Sequence, residues 1–458
     1  MASHALDFLG YPNEIINPIL AFCSPADILS LSRVNKRLND LANHVLYSDI
    51  QFTWTVEATP PVIIFLRSIL SRPQLAEHVQ SLTLAGDLSW TEAESALDLA
   101  TDLVNKLQLP YTEDWTRELR EGIMDATMAF LLARLTKLRS LVISENYTRE
   151  LERIGAMFRS ALYKEAPASW LSDFHQLEEV SVSNFVWYGT YRNANTPHLL
   201  PFFYLPTIRS LDLMLDNPVT FAWPVGTPNI TNLSSLKLQH VREPALKCIL
   251  SATPNLRVLD WEFMHSERQT TTQASEHLLN PALADLDMIV DALTPVRATL
   301  VDLTIRASII HSASLYEPVV QVRGSLAGLV EFDKVERFAV ALPFLAGDII
   351  PNNSFRIWER VPRSIRTLVL RNDLFIYTDE FDADGPDPEW DEMALYHNLR
   401  SWFYEWRDMT NPHFRHLELI VMDDWSDETM RQTLRDLCAE DRVQVALTFT
   451  GQPSWLTD

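Results

Sequence analysis

The sequence predicts an α/β protein in which a short all-α segment precedes an irregular solenoid, a parallel sheet with helices on its convex side. Three observations predict this fold. A stretch near the start is punctuated as three short helices, runs of alternating aliphatic residues recur along the rest of the chain, and helical segments separate those runs. We place the all-α segment at residues 1–52 and the solenoid at residues 53–458, where no Gly/Ser linker interrupts the chain.

Start signals predict the three N-terminal helices. Pro12 begins the first, because a proline at the start of a helix gives up an amide that would be unpaired anyway. Ser24-Pro25-Ala26-Asp27 begins the second with a serine cap, a proline in the first turn and an acid three residues after the cap. The third runs from Asn35 to about Asn43.

The first helix carries more apolar surface than one buried stripe requires. Ile15, Ile16, Ile19 and Leu20 cover more than one stripe of this helix. A domain of about forty residues buries too small a fraction of its surface to hide all of this aliphatic area. The segment therefore needs a second partner surface.

The same stretch resembles the F-box family, whose pattern is roughly L-P-x-E-I-L-x-x-I, then D-L-L, then V-N/S-K/R-x-L. The chain has these parts in order as Tyr11–Ile16 with Ile19, as Asp27–Leu29, and as Val34–Leu38. Tyr11 stands where leucine is usual. The plain alternative is an ordinary helical N-terminal subdomain.

The resemblance implies docking on a Skp-family adaptor that links to a cullin. It therefore implies a substrate-recognition subunit of an SCF-type cullin–RING ubiquitin ligase, with an unknown target protein held on the solenoid. The adaptor-binding face that it implies consists of Pro12, Ile15, Ile16, Ile19, Leu20, Leu29, Leu31, Val34 and Leu38. Some of these residues must instead fill the core among the three helices. Two alternatives stay open: an F-box scaffold that binds the adaptor without the ligase, and a cytosolic enzyme with a fortuitous N-terminal motif.

A repeated L-x-x-L-x-L unit predicts the strands of the solenoid. Its second aliphatic position is occupied in turn by Leu82, Leu141, Val180, Leu211, Leu236, Leu259, Leu303, Phe338 and Leu368, with a weaker copy ending at Leu419. This unit is the leucine-rich repeat signature, in which each strand points alternate side chains into a core that one repeat cannot close. The solenoid resembles the divergent ones that follow F-boxes in many fungal proteins. We expect these strands to be neighbours in chain order in one parallel sheet.

Helical periodicity predicts the connections between the strands. The predicted helices are Pro61–Leu70, Thr91–Leu107, Asp114–Leu135, Glu150–Tyr163, Ala245–Ser251, Pro281–Leu293, Asp391–Met409 and Asp427–Ala439. Parallel strands need crossovers of this kind.

Two loops are candidate target-binding sites. Asn184–Tyr191 is rich in aromatic residues and contributes Trp187, Tyr188 and Tyr191, which either contact a target or pack over the sheet edge as a satellite core. Asp379–Glu392 carries acids and no basic residue, and either steers a basic target segment or is a solvated loop. Its candidate residues are Asp379, Glu380, Asp382, Asp384 and Trp390.

Composition indicates which kinds of partner and which cellular compartment suit the chain. The net charge of −23 repels phosphate backbones and anionic lipid, so we expect neither nucleic acid nor a membrane as partner. Three widely spaced cysteines indicate free thiols in a reducing compartment. The first ten residues lack the features of a signal peptide, and we expect a cytoplasmic or nuclear location, or both.

The chain lacks the sequence motifs of common enzymes. It has no glycine-rich phosphate loop and no G-x-S-x-G element, and no cysteine has a recognisable catalytic neighbourhood. His413 and His416, with Asp423 and Asp424 nearby, match no helix-borne zinc motif. We therefore expect no cofactor, no metal and no catalytic residue.

Overall fold

The computed structural model describes residues 11–54, 60–86, 104, 109, 111–144, 147, 151–163, 171–183, 195–218, 220–266, 283–310, 321–348, 356–374, 396–402, 414–422, 428–440 and 443–450. The chain forms two compact units. The first unit consists of Met1–Phe185 and Pro197–Ile208, and the second unit of Val186–Thr196 and Arg209–Asp458. Within the described ranges, no helix is long and apolar enough to cross a membrane.

The first unit begins with the three expected helices, α1 (Asn13–Ala21), α2 (Pro25–Ser32) and α3 (Lys36–Leu46). Each begins within a residue of the predicted start, and at α2 and α3 the capping residues form the expected bonds. The side chain of Ser24 accepts a hydrogen bond from the Asp27 amide at 3.2 Å, and the side chain of Asn35 accepts one from the Leu38 amide at 2.9 Å.

The first unit continues into a parallel sheet. Its strands are β1 (Asp49–Trp54), β2 (Ser81–Gly86), β3 (Ser140–Ile143) and β4 (Glu179–Val182), paired in chain order. The helices beside them are α4 (Pro61–Ser71), Thr112–Glu121, Met124–Arg134 and Glu152–Leu162, with 3₁₀ turns at Pro73–His78 and Leu200–Tyr204. Strand β1 pairs with β2 along its whole length, so the predicted domain boundary after residue 52 falls inside a strand of this sheet.

The second unit is built from the same kind of repeat. Its sheet contains, in spatial order, β5 (Ser210–Met214), β6 (Ser235–Gln239), β7 (Val258–Ser266), β9 (Asp302–Ile310), β11 (Arg337–Ala341), β12 (Thr367–Arg371), β13 (His416–Met422) and β14 (Gln444–Thr450). The helices are Glu243–Ser251, Leu286–Leu293, Leu342–Ala346 and Glu428–Glu440, with 3₁₀ turns at Thr294–Val296, Leu326–Glu331 and Ile357–Glu359. The α/β, solenoid-like architecture expected from the sequence is confirmed.

The aliphatic positions of the repeated sequence unit set how neighbouring strands are aligned. In the second unit the second aliphatic positions pair directly, from Leu211 with Leu236 and Leu236 with Leu259 through to Phe338 with Leu368. Each of these side chains is buried, because alternate residues of a strand point to the core face. A shift of the pairing by one residue would expose every buried aliphatic side chain of a strand to water. The free-energy cost of this exposure sets the register.

The helical predictions needed two corrections. The segment predicted as one helix over Asp114–Leu135 is two helices, because Gly122 adopts a left-handed backbone with φ of 78° and ends the first. The segment predicted as a helix over Pro281–Leu293 contains a strand, β8 (Leu283–Asp285), which pairs with β10 (Gln321–Arg323). Asp285 begins the shorter helix by accepting a hydrogen bond from the Met288 amide at 3.1 Å, and it also pairs with Arg323 at 2.6 Å.

The remaining predicted helices are helical where the structure describes them. Residues 396–402 are helical, and the last predicted helix runs over Glu428–Glu440. Of the prediction over Thr91–Leu107, residues 91–103 and 105–107 lie outside the described residues.

A buried polar cluster joins three helices of the first unit, Thr112–Glu121, Met124–Arg134 and Glu152–Leu162. The carboxylate of Asp125 accepts hydrogen bonds from the backbone amides of Arg153 at 2.6 Å and Ile154 at 3.1 Å, at the N-terminus of the helix Glu152–Leu162. Arg153 is itself buried and forms a 2.6 Å ion pair with Glu118. Burial raises the pKa of Asp125 to about 7, although the two amides favour the charged form. The periodicity of the sequence shows apolar stripes and therefore does not reveal this cluster.

A partly buried histidine in the second unit, His240, makes stability depend on pH. Burial, assisted by the charge of Arg306, lowers the pKa of His240 to about 4. In the unfolded chain a histidine takes up its proton near pH 6.5. The stability that neutral His240 contributes is therefore lost as the pH falls from about 6.5 to about 4. We expect His240 alone to lower the free energy of unfolding by about 2 kcal/mol between pH 7 and pH 5.

The variant His240→Asn tests this expectation, since asparagine tolerates the left-handed backbone that His240 adopts at φ of 57°. Urea unfolding at pH 7 and pH 5 should show a smaller loss of stability in the variant than in the parent. Equal losses in the two proteins would show that His240 is not the group responsible.

Candidate functional site

The candidate functional site lies on the three N-terminal helices, which are held together by polar contacts at their ends. The guanidinium of Arg37, in α3, donates hydrogen bonds to the backbone carbonyl of Tyr11 at 2.6 Å and to the side chain of Asn13 at 2.9 Å. The side chain of Asn39 donates to the carbonyl of Ser32 at 3.0 Å. The start of α1 and the end of α2 are thereby fixed against α3.

The apolar residues of α1 divide into a buried stripe and an exposed stripe. Ile16 and Leu20 are 0% exposed and form a core with Leu41 of α3, against which Leu31 and Val45 pack in part. Leu38 is also buried, at 4% exposure. Of the residues that the resemblance implies for the adaptor-binding face, Ile16, Leu20 and Leu38 are therefore the ones whose side chains fill the interior among the helices.

The other stripe of α1 faces solvent. Ile15 is 50% exposed and Ile19 is 45% exposed, and these two residues stand one helical turn apart on the same side of the helix. Phe22, three residues after Ile19, is 93% exposed at the helix end. Phe22 is not among the adaptor-binding residues implied by the resemblance, although its spacing from Ile15 and Ile19 places it on their stripe.

Other apolar residues of the N-terminal segment are exposed as well. Leu29 and Val34 are exposed, as are Pro12 and Tyr11 at the start of the segment, whereas Leu31 is only partly exposed. Nine large hydrophobic side chains are strongly exposed among the described residues, and six of them lie within residues 11–34. The remaining three, Ile64, Val225 and Val258, lie far from each other in the sequence. We call Ile15, Ile19, Phe22, Leu29 and Val34 the apolar face.

The chemistry of the apolar face is that of a binding surface. Its polar neighbours are engaged locally: Ser24 donates to Asp27 at 2.6 Å, and the thiol of Cys23 donates to the Ile19 carbonyl at 3.4 Å. Cys23, Cys248 and Cys438 are free cysteines, as their spacing predicted. In the part of the chain that the structure describes, no group of three or more His, Cys, Asp or Glu residues could hold a metal ion.

The predicted target-binding residues fall in other parts of the chain. Trp187, Tyr188, Tyr191, Asp379, Glu380, Asp382, Asp384 and Trp390 lie outside the described residues, as do His413, Asp423 and Asp424. These predictions stay predictions. His416 is described, and it is exposed at the first position of β13.

Comparison with known proteins agrees with the geometry of the N-terminal helices. Residues 12–47 match the model of the F-box domain family, and this range contains α1, α2 and α3. No curated protein matches the chain. The matched domain supports an F-box protein, and F-box domains generally bind Skp1-family adaptors. A general role as an adaptor-binding subunit is therefore supported.

Proposed function

We propose that the chain is the substrate-recognition subunit of an SCF-type cullin–RING ubiquitin ligase. The observation that carries this proposal is the apolar face, which lies within the range that matches the F-box domain. Several exposed apolar side chains within one short segment mark an interaction site, because their contact with water is unfavourable. A Skp-family adaptor is the partner that would cover it.

The energetic gain from covering the apolar face is sufficient for specific binding. Full burial of an aliphatic or aromatic side chain contributes about 1.5–3 kcal/mol, and the five side chains of the face are each about half exposed or more. Preorganisation adds to this gain, since the caps and the Arg37 contacts already fix the helices.

In this proposal the solenoid holds the target protein and the chain itself makes and breaks no bond. Its mechanism is proximity, because a target held on the solenoid has its lysines at a high local concentration beside the ubiquitin-loaded enzyme. The solenoid is of the divergent leucine-rich-repeat type found in fungal F-box proteins, and the chain acts in the cytoplasm, the nucleus or both, in ubiquitin-dependent degradation.

Affinity purification of the tagged full-length chain tests this proposal. We expect the adaptor and a cullin to co-purify with the parent chain and both to be lost with the triple variant Ile15→Asp, Ile19→Asp, Leu29→Asp. Ile64→Asp is the matched control, because Ile64 is an exposed isoleucine on α4, outside the matched range. Adaptor without cullin would favour the scaffold alternative, and the absence of both from the parent purification would refute the proposal.

A further inference from the structure

Arginine residues recur at the N-terminal edge of the sheet in the second unit. Arg209, Arg257, Arg366 and Arg415 each stand immediately before a strand, namely β5, β7, β12 and β13. All four are exposed. Because the strands are parallel and in register, their N-terminal ends lie along the same edge of this sheet.

The backbone shows that these positions are equivalent. The carbonyl of Arg257 accepts hydrogen bonds from two consecutive amides of the next repeat, Val301 at 2.8 Å and Asp302 at 3.0 Å. The carbonyl of Arg366 does the same with Arg415 at 2.9 Å and His416 at 3.0 Å. In the second unit the carbonyls of Arg209, Ser234, Val301 and Glu336 accept pairs of amides in the same way, and Arg415, the next position after Arg366, accepts one from Gln444 at 2.8 Å.

The charge of this edge is opposite to that of the chain. The basic residues in the turns that lead into these strands and at the first strand positions are Arg209, Arg257, Arg297, Lys334, Arg337, Arg363, Arg366 and Arg415. The acids in the same described segments are Asp302, Glu331, Asp333 and Glu336. The chain as a whole has 38 basic and 61 acidic residues, so this edge is a positive region on an acidic protein. We call the eight basic residues the basic edge.

Three of the eight basic residues form ion pairs with acids of the same segments. Arg297 pairs with Glu331 at 2.9 Å, Arg337 with Asp302 at 3.1 Å, and the exposed Arg366 with Glu336 at 3.6 Å. Asp333 is the remaining acid of these segments. Solvated pairs of this kind are weak and are exchanged readily for an incoming anion.

The turns that carry the basic edge are fixed by hydrogen bonds between neighbouring repeats. The hydroxyl of Thr299 donates to the carbonyl of Pro254 at 3.3 Å, and the hydroxyl of Ser364 donates to the carbonyls of Phe332 at 3.2 Å and Val335 at 2.8 Å. The guanidinium groups therefore project from an ordered backbone, and little backbone entropy is lost when a ligand binds.

We propose that the basic edge binds an extended acidic segment of the target protein, through its Asp and Glu carboxylates. Strands in a sheet are about 4.8 Å apart, so the six steps from Arg209 to Arg415 span about 29 Å, the length of about nine extended residues. Arginine suits this task because its planar fork binds a carboxylate through two parallel hydrogen bonds. A short peptide segment can contact the basic edge without touching the rest of the surface. Nucleic acid or a membrane is larger and would also be repelled by the negative charge of the remaining surface.

The assignment of this segment to a target rests on the proposed function, but anion binding by the edge does not. The test therefore uses the full chain without adaptor and a fluorescent peptide of nine glutamates, with binding followed by anisotropy across salt concentrations. We expect saturable binding that weakens as salt increases, and no binding of the matched peptides of nine glutamines or nine lysines.

The variant Arg257→Gln, Arg366→Gln, Arg415→Gln should bind the glutamate peptide at least about tenfold more weakly. The control variant Arg33→Gln, Arg72→Gln, Arg120→Gln removes the same charge at exposed positions of the first unit and should bind like the parent. Thermal unfolding of both variants checks that each is folded. The proposal is overturned if both variants lose affinity for the glutamate peptide equally, or if the parent does not bind the peptide. It is also overturned if the parent binds an RNA oligonucleotide or anionic vesicles more tightly than the glutamate peptide.

Discussion

Ile19→Asp will weaken binding of a Skp-family adaptor by about 100-fold or more and leave the chain folded. Ile19 is 45% exposed in the free chain, so a carboxylate at this position stays hydrated and costs little stability. When the adaptor covers the apolar face, that carboxylate loses its water without gaining a partner, which costs several kcal/mol. A 100-fold loss corresponds to about 2.7 kcal/mol. Calorimetric titration with purified adaptor measures the affinity, and thermal unfolding measures the stability.

Two further substitutions show whether adaptor binding is lost because the apolar face has changed or because the helices unfold. Ile64→Asp should bind adaptor like the parent, because Ile64 is exposed on α4, outside the apolar face. Ile16→Asp should also lose adaptor, but by unfolding the three helices, since Ile16 is buried against Leu41. Circular dichroism separates the two kinds of loss. Parent-like affinity in Ile19→Asp would remove Ile19 from the interface.

Trp261→Ala is expected to cost the second unit about 3–5 kcal/mol of stability, the range for truncation of a large buried aromatic residue. Trp261 is 0% exposed in β7, where it pairs in register with Leu238 and Ile305. Its indole nitrogen donates a hydrogen bond to the carbonyl of Val241 at 2.8 Å, so the substitution also leaves a buried acceptor unpaired. Urea unfolding followed by far-ultraviolet circular dichroism measures the loss.

Val258→Ala is the control on the same strand. Val258 is 37% exposed, so its truncation should cost well under 1 kcal/mol. If the two variants lost equal stability, the alternation of buried and exposed residues along β7 would be wrong, and with it the register on which the basic edge depends.

Local rules account for what was predicted correctly. The caps at Ser24 and Asn35 and the L-x-x-L-x-L units are encoded by residues close in sequence, and capping bonds and strand alternation form wherever such residues occur. The helix break at Gly122 is also a local signal, since glycine is the residue that takes a left-handed conformation at a helix end, but the apolar periodicity on both sides of it concealed the break.

The sequence by itself determined the class of fold, the place of the F-box domain and the order in which strands follow one another. Only the tertiary structure decided that Ile16 and Leu20 are buried while Ile15, Ile19 and Phe22 are exposed, because both sets have helical spacing and α3 covers just one of them. The basic edge likewise arises from the structure. Its arginines are scattered along some two hundred residues, and no dense arginine cluster is visible in the sequence. They meet because parallel strands in register bring equivalent repeat positions to one edge.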